Sequence, residues 1–189
     1  IKKTQVYNKS FQILLDNDAE LNRLHLENKL LTDWKRVKTE EDPHKKGDLL
    51  EDFTVTLFKL VSDFSLHEKN KDNGDQELDL IYDNQNEDLL PEKSEQVLIE
   101  CKNWADKVGT PELQAFFHKM KDHSEMKIGF FISVGGFTKK ADTDFLKRIG
   151  RDERDVVLID KDDIQEFIEN PGMDPGPWLR ERFHESTTE

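Results

Sequence analysis

The sequence predicts an α/β domain in which helices flank a mixed central sheet, preceded by a helical arm at the N-terminus. The 189 residues are enough for one domain of ordinary size and an appendage. The apolar patterns follow the order α-β-β-β-α-β-α-β-α, in which a hairpin-rich first half precedes a β-α-β second half. Hairpins pair antiparallel strands and a β-α-β unit pairs parallel ones, so both pairings are expected in one sheet.

The N-terminal arm is predicted from an amphipathic stretch between about Ser10 and Val37. The spacing of Leu14, Leu21, Leu24 and Leu31 resembles a heptad repeat, although two asparagines interrupt it. An amphipathic helix must bury its apolar stripe, and the sequence leaves open whether its own domain or a partner covers it. The polar segment KRVKTEEDPHKKG is expected to be a linker.

The first half of the domain is predicted to contain one helix and three strands. The helix is expected over DLLEDFTVTLFKLV, because its apolar residues fall on one helical stripe. The strands are expected at about 63–69, 78–83 and 96–104. A turn at Gly74 separates the first two, and an acidic insertion around Pro91 separates the second from the third.

The second half is predicted to alternate helices and buried strands. Thr110 and Pro111 stand in the order that opens a helix, which is expected to run to about His123. The segments KIGFFISV and DVVLID are predicted to be strands. Thr138 is the expected cap of a helix through Ile149, and KDDIQEFIE is predicted to be a further helix.

The distribution of charge is uneven. A net charge of −13 argues against a general nucleic-acid coat protein, because contacts to phosphate need cations. Between Glu100 and Arg151, however, ten cationic side chains outnumber seven anionic ones. One region can therefore face phosphate while the rest of the chain repels it.

Cysteine usage and the N-terminal sequence indicate the compartment. The single cysteine, Cys101, excludes an internal disulfide and a multi-cysteine zinc site, in keeping with a reducing compartment. No signal-peptide pattern and no apolar run of the roughly 20 residues that span a bilayer occur in the sequence. We therefore expect a cytoplasmic protein that has no membrane partner.

The stretch LIECKNW places opposite charges at the end of an apolar strand. Glu100 and Lys102 share one face with Leu98, since side chains alternate along a strand. A structural ion pair would explain these two residues alone. If the strand that carries Asp79 is a neighbour, however, Asp79 and Glu100 converge with Lys102 at one edge of the sheet.

Two carboxylates beside a lysine are the minimum set for hydrolysing a phosphodiester. Magnesium is typically held by one or two carboxylates together with water and substrate oxygens. A neighbouring lysine can orient a water, help to lower its pKa or stabilise the charge of the transition state. We therefore expect Mg²⁺ as the cofactor, with Mn²⁺ as a substitute.

Four segments of the chain resemble the PD-(D/E)xK restriction-endonuclease-like superfamily, and most closely its Mrr-type branch. They are KKGDLLEDF, GDQELDLIY, LIECKNW and GFFISVGGFTKKA, in that order. The resemblance covers about Gly47 to Asp160 and implies an αβββαβ core. It divides the chain into a helical arm at 1–40, a nuclease-like domain at 41–170 and a C-terminal tail with a short helix at 171–189.

The resemblance also implies roles for single residues. Asp79 and Glu100 would ligate the metal, with the Cys101 carbonyl as a third ligand. Lys102 would act on the attacking water. Glu51, in the helix before the strands, would bind or orient a metal-bound water.

Three further residues are candidates for contact with nucleic acid. Gln114 falls in the helix after the lysine, where related nucleases often carry a supporting polar residue. Lys139 and Lys140 follow the turn VGGFT, which comes after a strand. This turn lacks the phosphate-loop signature of nucleotide hydrolases. Contact of these lysines with a nucleic-acid backbone is therefore the better interpretation.

The family likeness implies a metal-dependent endonuclease that cuts DNA within a prokaryotic restriction or antiviral defence-like system. The N-terminal helix would join a homo-oligomer or a larger defence-protein partner. One alternative keeps the same site but cuts RNA or single strands. The other keeps only the fold, as a non-catalytic assembly module of a larger complex.

Overall fold

Five α-helices and a five-stranded sheet form the part of the chain that the computed structural model describes, residues 2–72, 77–86, 94–145 and 153–187. The helices are α1 (Lys2–Thr39), α2 (Pro43–Phe58), α3 (Thr110–Lys121), α4 (Lys161–Glu169) and α5 (Pro175–Thr187). The strands are β1 (Phe64–Asp72), β2 (Glu77–Asn84), β3 (Gln96–Lys102), β4 (Met126–Ser133) and β5 (Asp155–Asp160). No helix within these ranges is long and apolar enough to cross a membrane.

The sheet is mixed, in the strand order β1-β2-β3-β4-β5. The pairs β1–β2 and β2–β3 are antiparallel, whereas β3–β4 and β4–β5 are parallel. Helix α3 makes the crossover between the parallel strands β3 and β4. The order α2-β1-β2-β3-α3-β4 confirms the predicted α/β fold with an αβββαβ core.

The central strand β3 separates two apolar layers. Val97, Ile99 and Cys101 face the layer that contains α1, α2, α4 and α5. Leu98 faces the other layer, where α3 covers the sheet. Glu100 lies on the same face as Leu98, because side chains alternate along the strand. The middle of β3, residues 97–101, is thus buried, whereas its end residues Gln96 and Lys102 are only partly buried.

Helix α1 is partly core and partly exposed. Leu30, Trp34 and Val37 are buried, and the Trp34 ring lies 5.3 Å from the Phe53 ring of α2. Leu21, further towards the N-terminus, is 67% exposed. The C-terminal part of this helix therefore packs on its own domain, as one of the two predicted alternatives required.

The prediction of a linker over KRVKTEEDPHKKG is wrong. Helix α1 continues through the lysines and arginine of KRVKT to Thr39, and α2 begins four residues later at Pro43. The Asp42 carboxylate accepts hydrogen bonds from the backbone N–H groups of His44 and Lys45, at 3.0 and 3.3 Å. An N-cap followed by proline opens α2 at once, so three residues suffice for the connection.

Two helix starts also differ from their predictions. Gly109, one residue before Thr110, is the N-cap of α3, and its N–H donates to the Glu112 carboxylate at 2.9 Å. Thr138 accepts from the backbone N–H of Ala141 at 3.3 Å, but it precedes a π-helical turn at Lys140–Phe145. The rest of that predicted helix lies outside the described residues, as do the turn at Gly74 and the insertion around Pro91.

The C-terminal helix α5 completes the layer opposite α3. Trp178, Leu179 and Phe183 are buried, and the Trp178 ring lies 4.9 Å from the Phe167 ring of α4. Both terminal helices therefore contribute apolar side chains to one core.

Trp34→Ala is expected to lower the free energy of unfolding by about 3–5 kcal/mol, because it removes a ring that is 1% exposed and leaves a cavity. Asn22→Ala, at an exposed position of the same helix, is the matched control and should change it by about 0.5 kcal/mol or less. Urea denaturation measures both. Equal losses would show that the effect of Trp34→Ala does not come from its burial.

Candidate active site

The pairing of β2 with β3 brings two carboxylates and a lysine together. Leu80 lies opposite Ile99 in the ladder, which places Asp79 beside Glu100 on the α3 face of the sheet. The Lys102 Nζ lies 2.6 Å from Glu100 Oε1 and 4.0 Å from Asp79 Oδ2. Asp79 and Glu100 are only 8% and 5% exposed. The predicted convergence of these three residues is present in the structure.

Asp79 is held by the backbone of the neighbouring strand. The Cys101 N–H donates to Asp79 Oδ2 at 2.9 Å, just past the last ladder pair between the two strands. Burial raises the pKa of Asp79 to about 6, with a further contribution from the negative charge of Glu100. Lys102, the Cys101 N–H and Lys119 oppose this rise. A buried carboxylate beside a second one is thus poised to exchange its proton for a cation.

Lys102 is a cation in this site. Burial by itself lowers the pKa of Lys102, but the adjacent Glu100 and Asp79 carboxylates outweigh burial and raise it. The ammonium also lies 5.7 Å from the centroid of the exposed Trp104 ring. A permanently charged ammonium suits orientation and charge stabilisation, whereas accepting a proton would require a neutral amine.

A second lysine, which the sequence analysis missed, also binds Glu100. Lys119 extends from α3, and its Nζ lies 2.8 Å from Glu100 Oε2. The sequence does contain a clue to this contact, because Lys119 lies between Phe116 and Met120, which are buried against the sheet. A lysine that borders the apolar stripe of the helix covering the site can reach the end of β3.

Glu51 makes a different contact from those of the other predicted site residues. It lies on α2, across the sheet from Lys119, and its Oε2 forms an ion pair with Lys69 of β1 at 3.4 Å. That oxygen is buried without a hydrogen-bond partner among the described residues. Glu51 is nevertheless close enough to help raise the pKa of the Cys101 thiol, whose rise is caused chiefly by burial.

The candidate nucleic-acid residues lie on the surface. Gln114 is exposed on α3, and Lys139 and Lys140 are exposed after β4. The loop after β3 and the turn after β4 are in close contact, since a Cβ on Gly135 would lie 2.3 Å from the Asp106 carbonyl oxygen. The two lysines therefore follow the same edge of the sheet at which Lys102 ends β3.

Asn103 ties that edge to the helices on the other face. Its side-chain amide donates to the carbonyl oxygen of Lys46 at 2.9 Å and to that of Val37 at 3.4 Å. These carbonyls belong to the first turn of α2 and the last turns of α1. The residue directly after Lys102 is thus fixed by two helices.

The donor set fits a hard divalent cation that retains water. Asp79 and Glu100 supply carboxylate oxygens, and the described residues contain no cluster of three or more histidine, cysteine or acidic side chains suited to a metal. A closed zinc-type site is therefore not formed by these residues. Magnesium, which takes few protein ligands and completes its shell with water and phosphate, matches the pair of carboxylates.

Asp79→Asn is expected to raise the free energy of unfolding at pH 8 by about 1–3 kcal/mol. The pKa of Asp79 is about 6 in the folded chain against a reference of 3.8, so the folded chain retains a proton that the unfolded chain has lost. The parent therefore loses stability as pH rises from about 4 to 6, and the loss persists above that window. The neutral asparagine avoids it.

Urea denaturation in chelator between pH 4 and pH 8 measures this difference. Asp48→Asn, at an exposed position of α2, controls for the loss of one negative charge. The advantage of Asp79→Asn should vanish towards pH 4. An advantage that stays constant across the range would contradict the raised pKa.

Comparisons with known proteins identify relatives of this chain. The profile of the Mrr catalytic domain, a family described as restriction endonuclease, matches residues 46–168, more than half of the chain. The type IV methyl-directed restriction enzyme EcoKMrr of Escherichia coli (strain K12) is 38% identical over 66 residues, or 35% of this chain. The match spans 20% of that enzyme's length. No solved structure matches the chain. The chain belongs to the Mrr-type restriction endonuclease family, within the PD-(D/E)xK-like superfamily.

Proposed function

We propose that the chain is a metal-dependent endonuclease domain that hydrolyses phosphodiester bonds of DNA. The observation that carries the proposal is the convergence of Asp79, Glu100 and Lys102 where β2 begins and β3 ends. Family membership supports the reaction class. The relative's name describes a methyl-directed restriction enzyme, and we propose a role in a restriction or defence system for this chain as well.

Asp79 and Glu100 would hold Mg²⁺, with the Cys101 carbonyl as a further ligand. When bound, the ion supplies positive charge that polarises the phosphate and acidifies water. To receive it, Asp79 must be ionised, so metal binding strengthens as pH rises through about 6. The ion must also compete with the present partners of these carboxylates, an N–H group at Asp79 Oδ2 and an ammonium at Glu100 Oε1.

Lys102 would act on the water and phosphate. Its ammonium lies between the two carboxylates at the open edge of the sheet, with 24% of its side chain exposed. In hydrolysis the water oxygen releases a proton to solvent and forms a bond to phosphorus, while a phosphorus–oxygen ester bond breaks and the departing sugar oxygen takes up a proton. Negative charge grows on the phosphate oxygens in that step, and a fixed cation beside them lowers the barrier.

Glu51, Gln114, Lys139 and Lys140 would be auxiliary. We propose that Glu51 orients water from the α2 side, and its buried oxygen without a hydrogen bond supports this role. The exposed lysines after β4 would contact the DNA backbone near the site, in the region where cations outnumber anions. A chain with a net charge of −13 is then expected to bind duplex weakly by itself.

Asp79→Ala, Glu100→Ala and Lys102→Ala are each expected to reduce cleavage of duplex DNA in Mg²⁺ or Mn²⁺ by about 100-fold or more. The carboxylate variants should also weaken Mn²⁺ binding in calorimetry, whereas Lys102→Ala should retain it. Asp83→Ala is the matched control, since Asp83 shares β2 but pairs with His67 at 3.1 Å. Full activity in chelator or in Glu100→Ala would refute the nuclease proposal.

The same assay separates the alternatives. Glu51→Gln should slow cleavage less than Glu100→Gln does, and a rate equal to that of the parent would assign Glu51 to its ion pair alone. Preference for matched RNA or single strands would redirect the proposal to those substrates. Loss of all cleavage with Mn²⁺ binding intact would favour an assembly module.

We also propose that α1 joins two copies of the chain. Leu21, Leu24 and Leu31 are exposed along one side of this 38-residue helix, and their spacing is that of a coiled-coil seam. A single active site cuts one strand at a time, so paired copies would allow a double-strand break. Because Trp34 of the same helix is buried in the core, pairing is tested with point substitutions at exposed positions of α1.

The double variant Leu21→Lys with Leu24→Lys is expected to sediment as a smaller species than the parent and to yield mainly nicks. Both positions are exposed, so folding should be unaffected. The control is Arg23→Lys on the same turn of α1, which keeps the charge beside the seam. Unchanged sedimentation and products in the double variant would refute pairing through α1, and a monomeric parent would favour a different partner.

A further inference from the structure

Both oxygens of the Glu100 carboxylate are held by lysines. Lys102 Nζ lies 2.6 Å from Oε1, and Lys119 Nζ lies 2.8 Å from Oε2. Glu100 is 5% exposed, so water cannot readily replace either partner. A metal ion that binds Glu100 must therefore compete with an ammonium group at either carboxylate oxygen.

The helix that carries Lys119 is packed tightly on the sheet. A Cβ on Gly129 of β4 would lie 2.6 Å from Met120 Sδ and 2.7 Å from Phe116 Cζ, so the two side chains use the space of the missing Cβ. The Phe116 ring meets the Phe131 ring edge-on at 5.3 Å. This packing holds the backbone of α3 against the sheet, and the rotatable bonds of the Lys119 side chain are what allow its ammonium to change position.

The two lysines differ in what they contact. Lys102 lies between the carboxylates, within 4.0 Å of Asp79 and 2.6 Å of Glu100. In the described part of the chain, the ion pair of Lys119 is with Glu100. Lys119 can therefore leave at the cost of one ion pair, whereas removal of Lys102 would take a close cation from both Asp79 and Glu100.

Charge also favours the departure of Lys119. Two carboxylates and two ammonium groups make the site neutral, and a divalent ion would give it two uncompensated positive charges in a poorly solvated place. Like charges a few ångströms apart repel strongly there. Rotation of the Lys119 side chain away from the ion relieves that repulsion and frees Glu100 Oε2 as a ligand.

We propose that Lys119 is a positioning residue that holds Glu100 in the metal-free site and yields its place to the divalent ion. The inference rests on the proposed function, since it concerns the same metal site. An incoming DNA phosphate favours the exchange, because it offers the released ammonium a new anion. Lys119 thereby makes metal and DNA bind cooperatively.

Lys119→Gln is expected to tighten Mn²⁺ binding about 5-fold or more in the absence of DNA, because it removes a positive charge beside the ion. Mn²⁺ is measured by electron paramagnetic resonance of the free ion at low salt. Lys119→Arg keeps the charge and should bind as the parent does. Lys121→Gln, an exposed lysine of the same helix beside the Phe117 ring, controls for net charge.

A short non-cleavable duplex tests the cooperativity. It should tighten Mn²⁺ binding in the parent and in Lys121→Gln, but by a smaller factor in Lys119→Gln. Lys119→Met, whose unbranched side chain keeps the packing of α3, serves as the second variant if the glutamine variant does not fold.

The outcomes distinguish this inference from the function on which it rests. A parent that binds no Mn²⁺ would overturn the proposed metal site and this inference together. A parent that binds Mn²⁺, with equal or weaker binding in Lys119→Gln or Lys119→Met, would overturn the role of Lys119 alone. If Lys121→Gln tightens Mn²⁺ binding without DNA as much as Lys119→Gln does, the role of Lys119 is also overturned, because the effect is then one of net charge.

Discussion

The burial of Asp79 and Glu100 side by side is the constraint on which the rest of the site depends. Two like charges at a poorly solvated strand end are unfavourable unless cations and N–H groups compensate them. Here the Cys101 N–H, Lys102 and Lys119 do so. The N–H group belongs to the backbone of β3, Lys102 is a side chain of β3, and Lys119 extends from helix α3. The register of β2 against β3 and the placement of α3 are therefore both conditions for the same pair of carboxylates.

Much of this could be predicted from the sequence, because it depends on local pattern. Alternation along a strand places Glu100 and Lys102 on one face, and the β-β-β-α-β order requires a mixed sheet. Lys119 was missed because its role depends on how α3 packs on the sheet, where Gly129 of β4, ten residues later in the chain, leaves room for Phe116 and Met120. The contact of Glu51 with Lys69 likewise depends on tertiary packing. The KRVKT segment looked like a linker because a solvent-facing helical turn has the same polar composition as a loop.

The matched family region and the folded core have different boundaries. The family profile ends at residues 46 and 168, yet Trp34 before it and Trp178 after it are buried in one apolar layer. The Trp34 Nε1 donates to Gln165 of α4 at 2.9 Å, so the first helix is bonded to the far end of the domain. The terminal helices thus cover the sheet face opposite α3, while the face beneath α3 contains both the second apolar layer and the charged site.

Asn103 connects the end of β3 near the charged site to the helices on the opposite face of the sheet. Its amide stands one residue beyond Lys102 and reaches carbonyls of both α1 and α2, on the face away from the site. Because a carboxamide has a short reach, both bonds persist only while the two helices keep their present separation. The position of the C-terminal end of β3 therefore depends on the distance between α1 and α2. A partner that bound α1 and moved it away from α2 would displace the backbone next to Lys102.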